Sequence, residues 1–317
     1  IDLTAAEGLI DLIDAETAAQ RRQALRQADG ELGRLYDGWR TRLLALLAHF
    51  EAAIDFVDEP IPDSLEREVR RGILSVEDEL TQHLDDNRRG ERLREGCHMV
   101  ILGAPNVGKS SLLNALAQRD AAIVSAQAGT TRDIVEVSLN LGGYPVVLAD
   151  TAGLQDSDDE VEAEGVRRAQ ARGAGADVKI VLYDCSISLE ACAADVALAG
   201  DDGILVANKV DLAVTAPAHG LAVSTKTGVG LVALMRRLET EARQRMVGSG
   251  LPGLTRLRHR QGLEACREAL LRSLAESDEE LVAEDVRLAA RHLGRITGRV
   301  DVEDILDVVF SDFCIGK

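Results

Sequence analysis

Apolar positions change period twice along this chain. From Ile1 to about residue 94 they recur at helical spacing. Leu9, Ile10, Leu12 and Ile13 open a first stripe behind Thr4 and Glu7, whose separation is that of a capping box. Leu32, Leu35, Trp39, Leu43, Leu46, Leu47 and Phe50 continue the period through a longer segment, which Pro60 and Pro62 end. Ser64 is then placed to cap a third helix carrying Leu65, Val69, Ile73, Val76, Leu80 and Leu84. Such lengths predict long rods.

From about residue 95 to 245 short apolar runs alternate with helical stretches. Predicted strands cover Cys97 to Leu102, Val135 to Leu141, Val146 to Asp150, Val178 to Asp184, Ile204 to Lys209 and Leu221 to Ser224. Helices are expected after the Gly-rich loop that follows the first strand, over Val161 to Arg172, over Leu189 to Ala199, and from Leu231 to about Met246. Strands and helices alternating in this way predict a mostly parallel sheet covered on both faces, with ligands at the carboxyl ends of its strands. After Gly248, Gly250, Pro252 and Gly253 the helical period returns. Leu263, Cys266, Leu270, Leu271 and Leu274 form one stripe, Leu281, Val286, Leu288 and Ala289 another, and Ile305, Leu306, Val309 and Phe310 a last one. This final stretch gives a thin core by itself, so it is expected to pack with the first helices. The expected architecture is an α/β domain over residues 95–247, inserted into an all-α helical domain made of residues 1–94 and 248–317.

Composition narrows the partners. The 317 residues are 46% hydrophobic and 28% charged, as in an ordinary globular chain, and with 3% aromatic residues the cores must be built from Leu, Val, Ile and Ala. A formal charge of -18 argues against broad nonspecific nucleic-acid binding, which comes mainly from Lys and Arg neutralising phosphates. Any RNA contact must be local or supplied by a partner. Five cysteines without a CxxC pair, and six histidines without metal-ligand spacing, suit reduced thiols in the cytoplasm better than disulfides or a zinc site. No membrane span and no signal peptide are expected, and a first residue of Ile suggests a segment of a longer product.

The chemistry gathers at strand ends. Gly103 to Ser110 reads GAPNVGKS between the first strand and a helix carrying Leu112, Leu113 and Leu116, the spacing of a P-loop. Its glycines let successive N–H groups turn inward, and the helix N-terminus adds a positive field for a phosphate chain. Asn106, Val107, Gly108, Lys109, Ser110 and Ser111 are the candidate phosphate contacts, with Lys109 on the β and γ phosphates and Ser110 on Mg²⁺. Asp150-Thr151-Ala152-Gly153 ends the third strand, where Asp150 can hold the metal through water and Gly153 can sense the γ phosphate. Between the two motifs, Thr130 and Thr131 can bring a hydroxyl to the metal. Asn208-Lys209-Val210-Asp211 ends the fifth strand; a carboxylate at Asp211 suits the guanine N1–H and amine and penalises adenine. Ser224-Thr225-Lys226 completes the base pocket. Each tetrapeptide alone is a weak signal, but their order at successive strand ends points to a GTPase of the translation-factor-related class.

How such a site cleaves GTP is less direct. The position after DTAG, often a Gln that orients water, is Leu154. The following segment holds six carboxylates, Asp156, Asp158, Asp159, Glu160, Glu162 and Glu164, one of which could swing in as the loop orders. Arg132 is as well explained by an ion pair with Asp133 as by an arginine-finger role. A cation near the Asn106 side chain could supply the missing positive charge.

The stretches GAPNVGKSSLLNAL, IVSAQAGTTRDIVE, DTAGL with DDEVE, NKVD and the final FCIGK, together with LIDAET and EAAIDFVDE, resemble one family over essentially the whole chain: the tRNA-modification GTPases MnmE, also called TrmE. The resemblance implies GTP hydrolysis through potassium-dependent homodimerisation of the GTPase domains. It implies K⁺ held by Asn106 and by the loop Ser125, Ala126, Gln127, Ala128, Gly129 and Thr130, with Ser125, Gln127 and Thr130 as ligands. It further implies Mg²⁺ on Ser110 and Thr131, and Glu162 as the catalytic carboxylate. Working with the flavoprotein MnmG, which carries FAD, such proteins add an aminomethyl or carboxymethylaminomethyl group to carbon 5 of the wobble uridine of certain tRNAs. Their one-carbon unit comes from a methylene-tetrahydrofolate, and the cysteine matching Cys314 is associated with that chemistry. Family members carry an N-terminal folate-binding domain that this sequence does not include, so the chain alone is expected to hydrolyse GTP without modifying tRNA. Two positions depart from the family pattern, Gln155 where Arg is frequent and Gln127 where an apolar residue is usual. The alternatives are a ribosome-assembly switch without RNA chemistry, which usually carries a basic RNA-binding domain, and a dynamin-type scaffold, which predicts membrane-seeking surfaces.

Overall fold

The alternating stretch folds into one six-stranded sheet. In this computed structural model the described residues are 2–55, 63–119, 135–150, 175–200, 202–248 and 252–299. By its internal contacts the chain divides into two units, one taking in residues up to Ala15, Arg21–Glu91 and the chain from Gly248, the other taking in Glu16–Gln20 and Arg92–Val247.

In the second unit the strands are β1 (Cys97–Leu102), β2 (Val135–Leu141), β3 (Tyr144–Asp150), β4 (Val178–Asp184), β5 (Ile204–Asn208) and β6 (Leu221–Ala222), in the order β2-β3-β1-β4-β5-β6. All pairs are parallel except the hairpin β2–β3. Successive residues of β1 serve opposite faces. Cys97, Met99 and Ile101 pack with Leu112, Leu113 and Leu116 and with Leu234 and Leu238, whereas Val100 and Leu102 pack with Val181 and Ala199. A strand buried on both sides reads as a continuous apolar run, and from Met99 to Leu102 this one does, with His98 exposed near its start. The sixth strand stops two residues short of Ser224, because Ser224 closes a turn in which its N–H donates to Val229 O and its carbonyl accepts from Gly228 N. The predicted Leu189 to Ala199 helix is a 3-10 turn, Leu189–Cys192, capped by Ser188 and followed by a short α-helix, Ala193–Ala199. The predicted helix over Val161 to Arg172 lies outside the described residues.

A five-residue piece from far upstream belongs to this unit. Ala19 N donates to Gly143 O at the β2–β3 turn at 3.1 Å, and Gln20 Nε2 donates to Arg94 O at 3.0 Å.

The helical unit contains α1 (Leu3–Ile13), most of α2 (Ala18–Ala28), α3 (Glu31–Asp55) and α4 (Asp63–Leu84), and the later helices Leu257–Ala275 and Glu279–Thr297. One core joins the two sequence halves: Leu32, Tyr36, Trp39 and Leu43 pack with Ile73, Val76 and Leu80 and with Leu263, Leu270, Val286 and Leu293. Among the described residues no helix is long and apolar enough to cross a membrane.

Two details at the helix starts correct the sequence reading. The N-cap of α1 is Asp2, not Thr4; its carboxylate accepts from Ala5 N at 2.9 Å and from Thr4 Oγ1 at 2.5 Å. Helix α4 begins at Asp63, so Ser64 lies inside it. The apolar stripe of α1 is also turned outward, with Leu9, Ile10 and Ile13 at 45%, 54% and 85% exposure. The helix buries Thr4, Ala5, Glu7 and Gly8 instead. Gly8 explains this in part, since a Cβ there would overlap the Gln27–Ala28 backbone. Glu7 explains the rest. Its carboxylate accepts from Arg258 Nε and Nη2 at 2.6 and 2.7 Å and from His259 Nε2 at 2.9 Å, and Arg256 binds the neighbouring Asp11 at 2.7 Å. Burial pushes the Glu7 carboxyl up, but the hydrogen bonds from His259 and Arg258 outweigh it and leave it at about 2. Burial holds the His259 pKa below its usual value, so the neutral ring donates through Nε2.

Replacing Glu7 by Gln should therefore destabilise this unit by about 2 kcal/mol at pH 7, because part-buried Arg258 loses its counter-charge and buried His259 its carboxylate acceptor. A carboxyl whose folded pKa is depressed contributes fully above its ordinary value of 4.5, and that contribution is lost as pH falls toward about 2. Thermal melts at pH 7 and pH 2.5 should thus differ between wild type and Glu7→Gln at the higher pH and converge at the lower. Coincident melts at pH 7 would refute the assignment.

Candidate functional site

The central strand β1 runs straight into the Gly-rich loop. Gly103 has φ +140°, and a Cβ on it would overlap the Leu182 carbonyl on β4. Gly108 has φ +101°, and a Cβ there would overlap the Asn208 side-chain amide. Asn106, exposed at the tip, also takes a left-handed φ of +63°. This curl is followed directly by helix Lys109–Arg119, whose first turn is bonded back to the loop through Leu112 N and Gly108 O at 2.9 Å. Unpaired N–H groups at such a helix start suit an anion.

Lys109 is 8% exposed and curls over the loop, donating to Gly103 O at 2.8 Å and Ala104 O at 2.9 Å. Burial lowers its pKa, while the Asp150 and Asp195 carboxylates act in the opposite sense. The ammonium is thus held by two neutral carbonyls, contacts that an anionic phosphate can replace with a stronger charge-assisted one. Ser110 Oγ donates to Asp150 Oδ2 at 2.6 Å, which brings a hydroxyl and a carboxylate together where β3 ends.

On the other side, Asn208 is 1% exposed and joins two loops. Its Nδ2 donates to Val107 O at 2.7 Å and its Oδ1 accepts from Thr225 N at 3.2 Å. Sequence reasoning placed Asn208 against the nucleotide. In addition, its two bonds tie the P-loop to the Ser224–Lys226 turn. Asp211 is exposed and held through Oδ1 by Ser224 Oγ at 2.6 Å, and Ser224 Oγ in turn accepts from Thr227 N at 3.1 Å. Lys209 adopts φ +65° and its Nζ meets Asp184 Oδ2 at 2.6 Å.

Asp184 and Cys185 were missed by the sequence reading. The available signal was an aspartate at the carboxyl end of a parallel strand, the same placement that singled out Asp150. Of the candidates, Asn106 to Ser111, Asp150, Asn208, Lys209, Asp211 and Ser224 to Lys226 lie at the carboxyl ends of β1, β3, β5 and β6. Ser125 to Thr131, Thr151 to Gly153, Glu162 and Cys314 lie outside the described residues.

The residues present fit a Mg²⁺-nucleotide. Ser110 and Asp150 offer the hard oxygen donors Mg²⁺ prefers, and the loop has the conformation that admits a phosphate chain. Among the described residues no group of three or more His, Cys, Asp or Glu could hold a metal by itself.

Sheet order, P-loop, strand-end aspartate and base-side loop together define the P-loop GTPase class, here joined to a helical unit. The family model described as "MnmE helical domain" matches residues 3–314. The tRNA modification GTPase MnmE of Rhodospirillum rubrum is 56% identical over 100% of this chain and 71% of that protein, and the one of Parvibaculum lavamentivorans is 54% identical over 100% and 73%. Among solved structures, the G domain of the T. maritima FeoB iron transporter matches at 25% identity, covering 46% of this chain and 98% of that one, with a TM-score of 0.35. The chain belongs to the MnmE family.

Gly108→Ala imposes both a strained left-handed φ and an overlap with Asn208, so it should weaken guanine-nucleotide binding by at least about tenfold. Titration with a fluorescent GDP analogue measures this; wild-type affinity in the variant would contradict the packing described.

Proposed function

We propose that this chain binds GTP with its phosphates on Asn106 to Ser111 and its base between Asp211 and Ser224 to Lys226, hydrolyses it, and serves tRNA modification. The reading gives residues 95–247 the role of GTPase domain, with the helical domain formed by residues 1–94 and 248–317. The observation that carries it is the Asn208 amide, which fixes the phosphate loop and the base loop to each other through Val107 and Thr225. One nucleotide can then be gripped at both ends. Asp211 keeps Oδ2 uncommitted among the described residues, while Ser224 orients the carboxylate through Oδ1.

Ser110 and Thr131 would hold Mg²⁺, with Asp150 positioned behind Ser110. Asn106 with Ser125, Gln127 and Thr130 would hold K⁺ where other GTPases receive an arginine, and a cation there supplies positive charge to the phosphate oxygens. Glu162 is the residue that orients the attacking water, replacing the glutamine absent at Leu154. Two GTPase domains pair to complete the site. In partnership with the flavoprotein MnmG and its FAD, and with a methylene-tetrahydrofolate as one-carbon donor, the product is a uridine carrying an aminomethyl or carboxymethylaminomethyl group at carbon 5 of the wobble position, with Cys314 taking part.

Turnover of GTP should be faster in KCl than in NaCl of equal ionic strength by about tenfold or more, since the charge of an arginine finger is worth at least that much. Equal rates in the two salts would remove the cation from the account. Glu162→Ala should abolish turnover and leave affinity for the GDP analogue within about twofold, as expected for a group acting in the transition state. Hydrolysis retained in that variant would assign the role to another carboxylate.

A further inference from the structure

The end of β4 carries a side chain that the reading above does not use. Asp184 stands opposite Asn208 in the parallel β4–β5 register. Its carboxylate is fixed at one oxygen, where Oδ1 accepts from Ser186 N at 2.9 Å and from Ser186 Oγ at 2.6 Å. The other oxygen, Oδ2, lies 2.6 Å from Lys209 Nζ. Burial pushes the Asp184 carboxyl up, yet the hydrogen bonds from Lys209 and Ser186 outweigh it and leave it below the ordinary value. Next to it, Cys185 donates to Asn208 O through both its N–H, at 3.0 Å, and its thiol, at 2.9 Å. Cys185 thus binds the backbone of Asn208 and Asp184 the side chain of Lys209, with Ser186 anchoring the Asp184 carboxylate.

Lys209 needs such a clamp. It adopts a left-handed backbone conformation that a long side chain does not favour, and its ammonium would otherwise be free to sample solvent. In sequence it lies between Asn208, which is tied to both loops, and Asp211, the proposed base-binding carboxylate, at the carboxyl end of β5. A methylene stem with a fixed course is an apolar surface for a flat purine face.

We propose that Asp184 is a positioning residue for guanine binding: by gripping the Lys209 ammonium it fixes the course of the lysine stem as one wall of the base pocket. This rests on the reading that the site binds GTP. Asp184 touches no substrate itself. Its effect on affinity passes through Lys209, which separates it from an ion pair that merely joins β4 to β5.

The test is a double-mutant cycle on the full chain, read as affinity for a fluorescent GDP analogue in wild type, Asp184→Asn, Lys209→Met and the double variant. Methionine keeps an apolar stem of similar length and removes the charge. Asp184→Asn should loosen binding by about fivefold in the wild-type background and by less than about twofold in the Lys209→Met background. Should Asp184→Asn fail to fold, Ser186→Ala replaces it: freeing the carboxylate from its exposed Ser186 anchor should loosen binding in the same direction, and again only when Lys209 is present. Equal loosening with and without Lys209, or none in either, overturns the proposal while leaving GTP binding intact. Failure of the wild-type chain to bind the analogue overturns the site reading and the proposal together.

Discussion

A single buried amide sets the geometry on which this site depends. Asn208 has one donor group and one acceptor group turned to two backbone loops that are far apart in sequence, Val107 before the first helix of the sheet unit and Thr225 after its last strand. Burial makes the bond to Val107 costly to break, because its orphaned carbonyl would have no solvent at hand. The amide also fills the space that a side chain at position 108 would need. Glycine in the phosphate loop and asparagine at the end of β5 are therefore one constraint seen from two places. The spacing between the P-loop and the Ser224–Lys226 turn follows from it.

Much of this was legible before any coordinates. The inner strands β4 and β5 are read directly from their apolar runs because burial on both faces leaves little room for alternation, whereas the edge strand β2 alternates, with Glu136 exposed. The P-loop, Asp150 and Asp211 stood out because their chemistry dictates residue types at fixed places. Asp184 did not, since nothing marks it until β4 and β5 lie side by side and bring it to Lys209, 25 residues on. Helix α1 shows a different failure. Its leucines and isoleucines have the stronger periodicity, but Gly8 permits a backbone approach and Glu7 finds two hydrogen-bond donors, Arg258 and His259, some 250 residues away. Amphipathic pattern measures what a helix could bury; the partner decides what it does bury.

The helical unit repeats that lesson at the start of the helix Leu257–Ala275. Arg256, Arg258, His259 and Arg260 look like a solvated basic run in the sequence. In the fold Arg258 and His259 meet Glu7, Arg256 meets Asp11, and Arg260 meets Asp86 and Glu91 at 2.6 and 2.9 Å. Consecutive residues on a helix point around its circumference, so one short basic run pins several neighbours at once. Each such pair trades desolvation against Coulomb attraction and contributes modestly to stability.

The upstream piece that docks beside the β2–β3 turn has a practical corollary for anyone dissecting this protein. Cutting at Arg92 and Val247 to isolate the sheet would discard Ala19 and Gln20, leaving the Gly143 and Arg94 carbonyls without the donors they have in the intact chain. A fragment designed from contiguous sequence would start with a patched edge exposed. Fusing residues 16–20 back through a short linker is the version of that excision which respects how the polypeptide is woven.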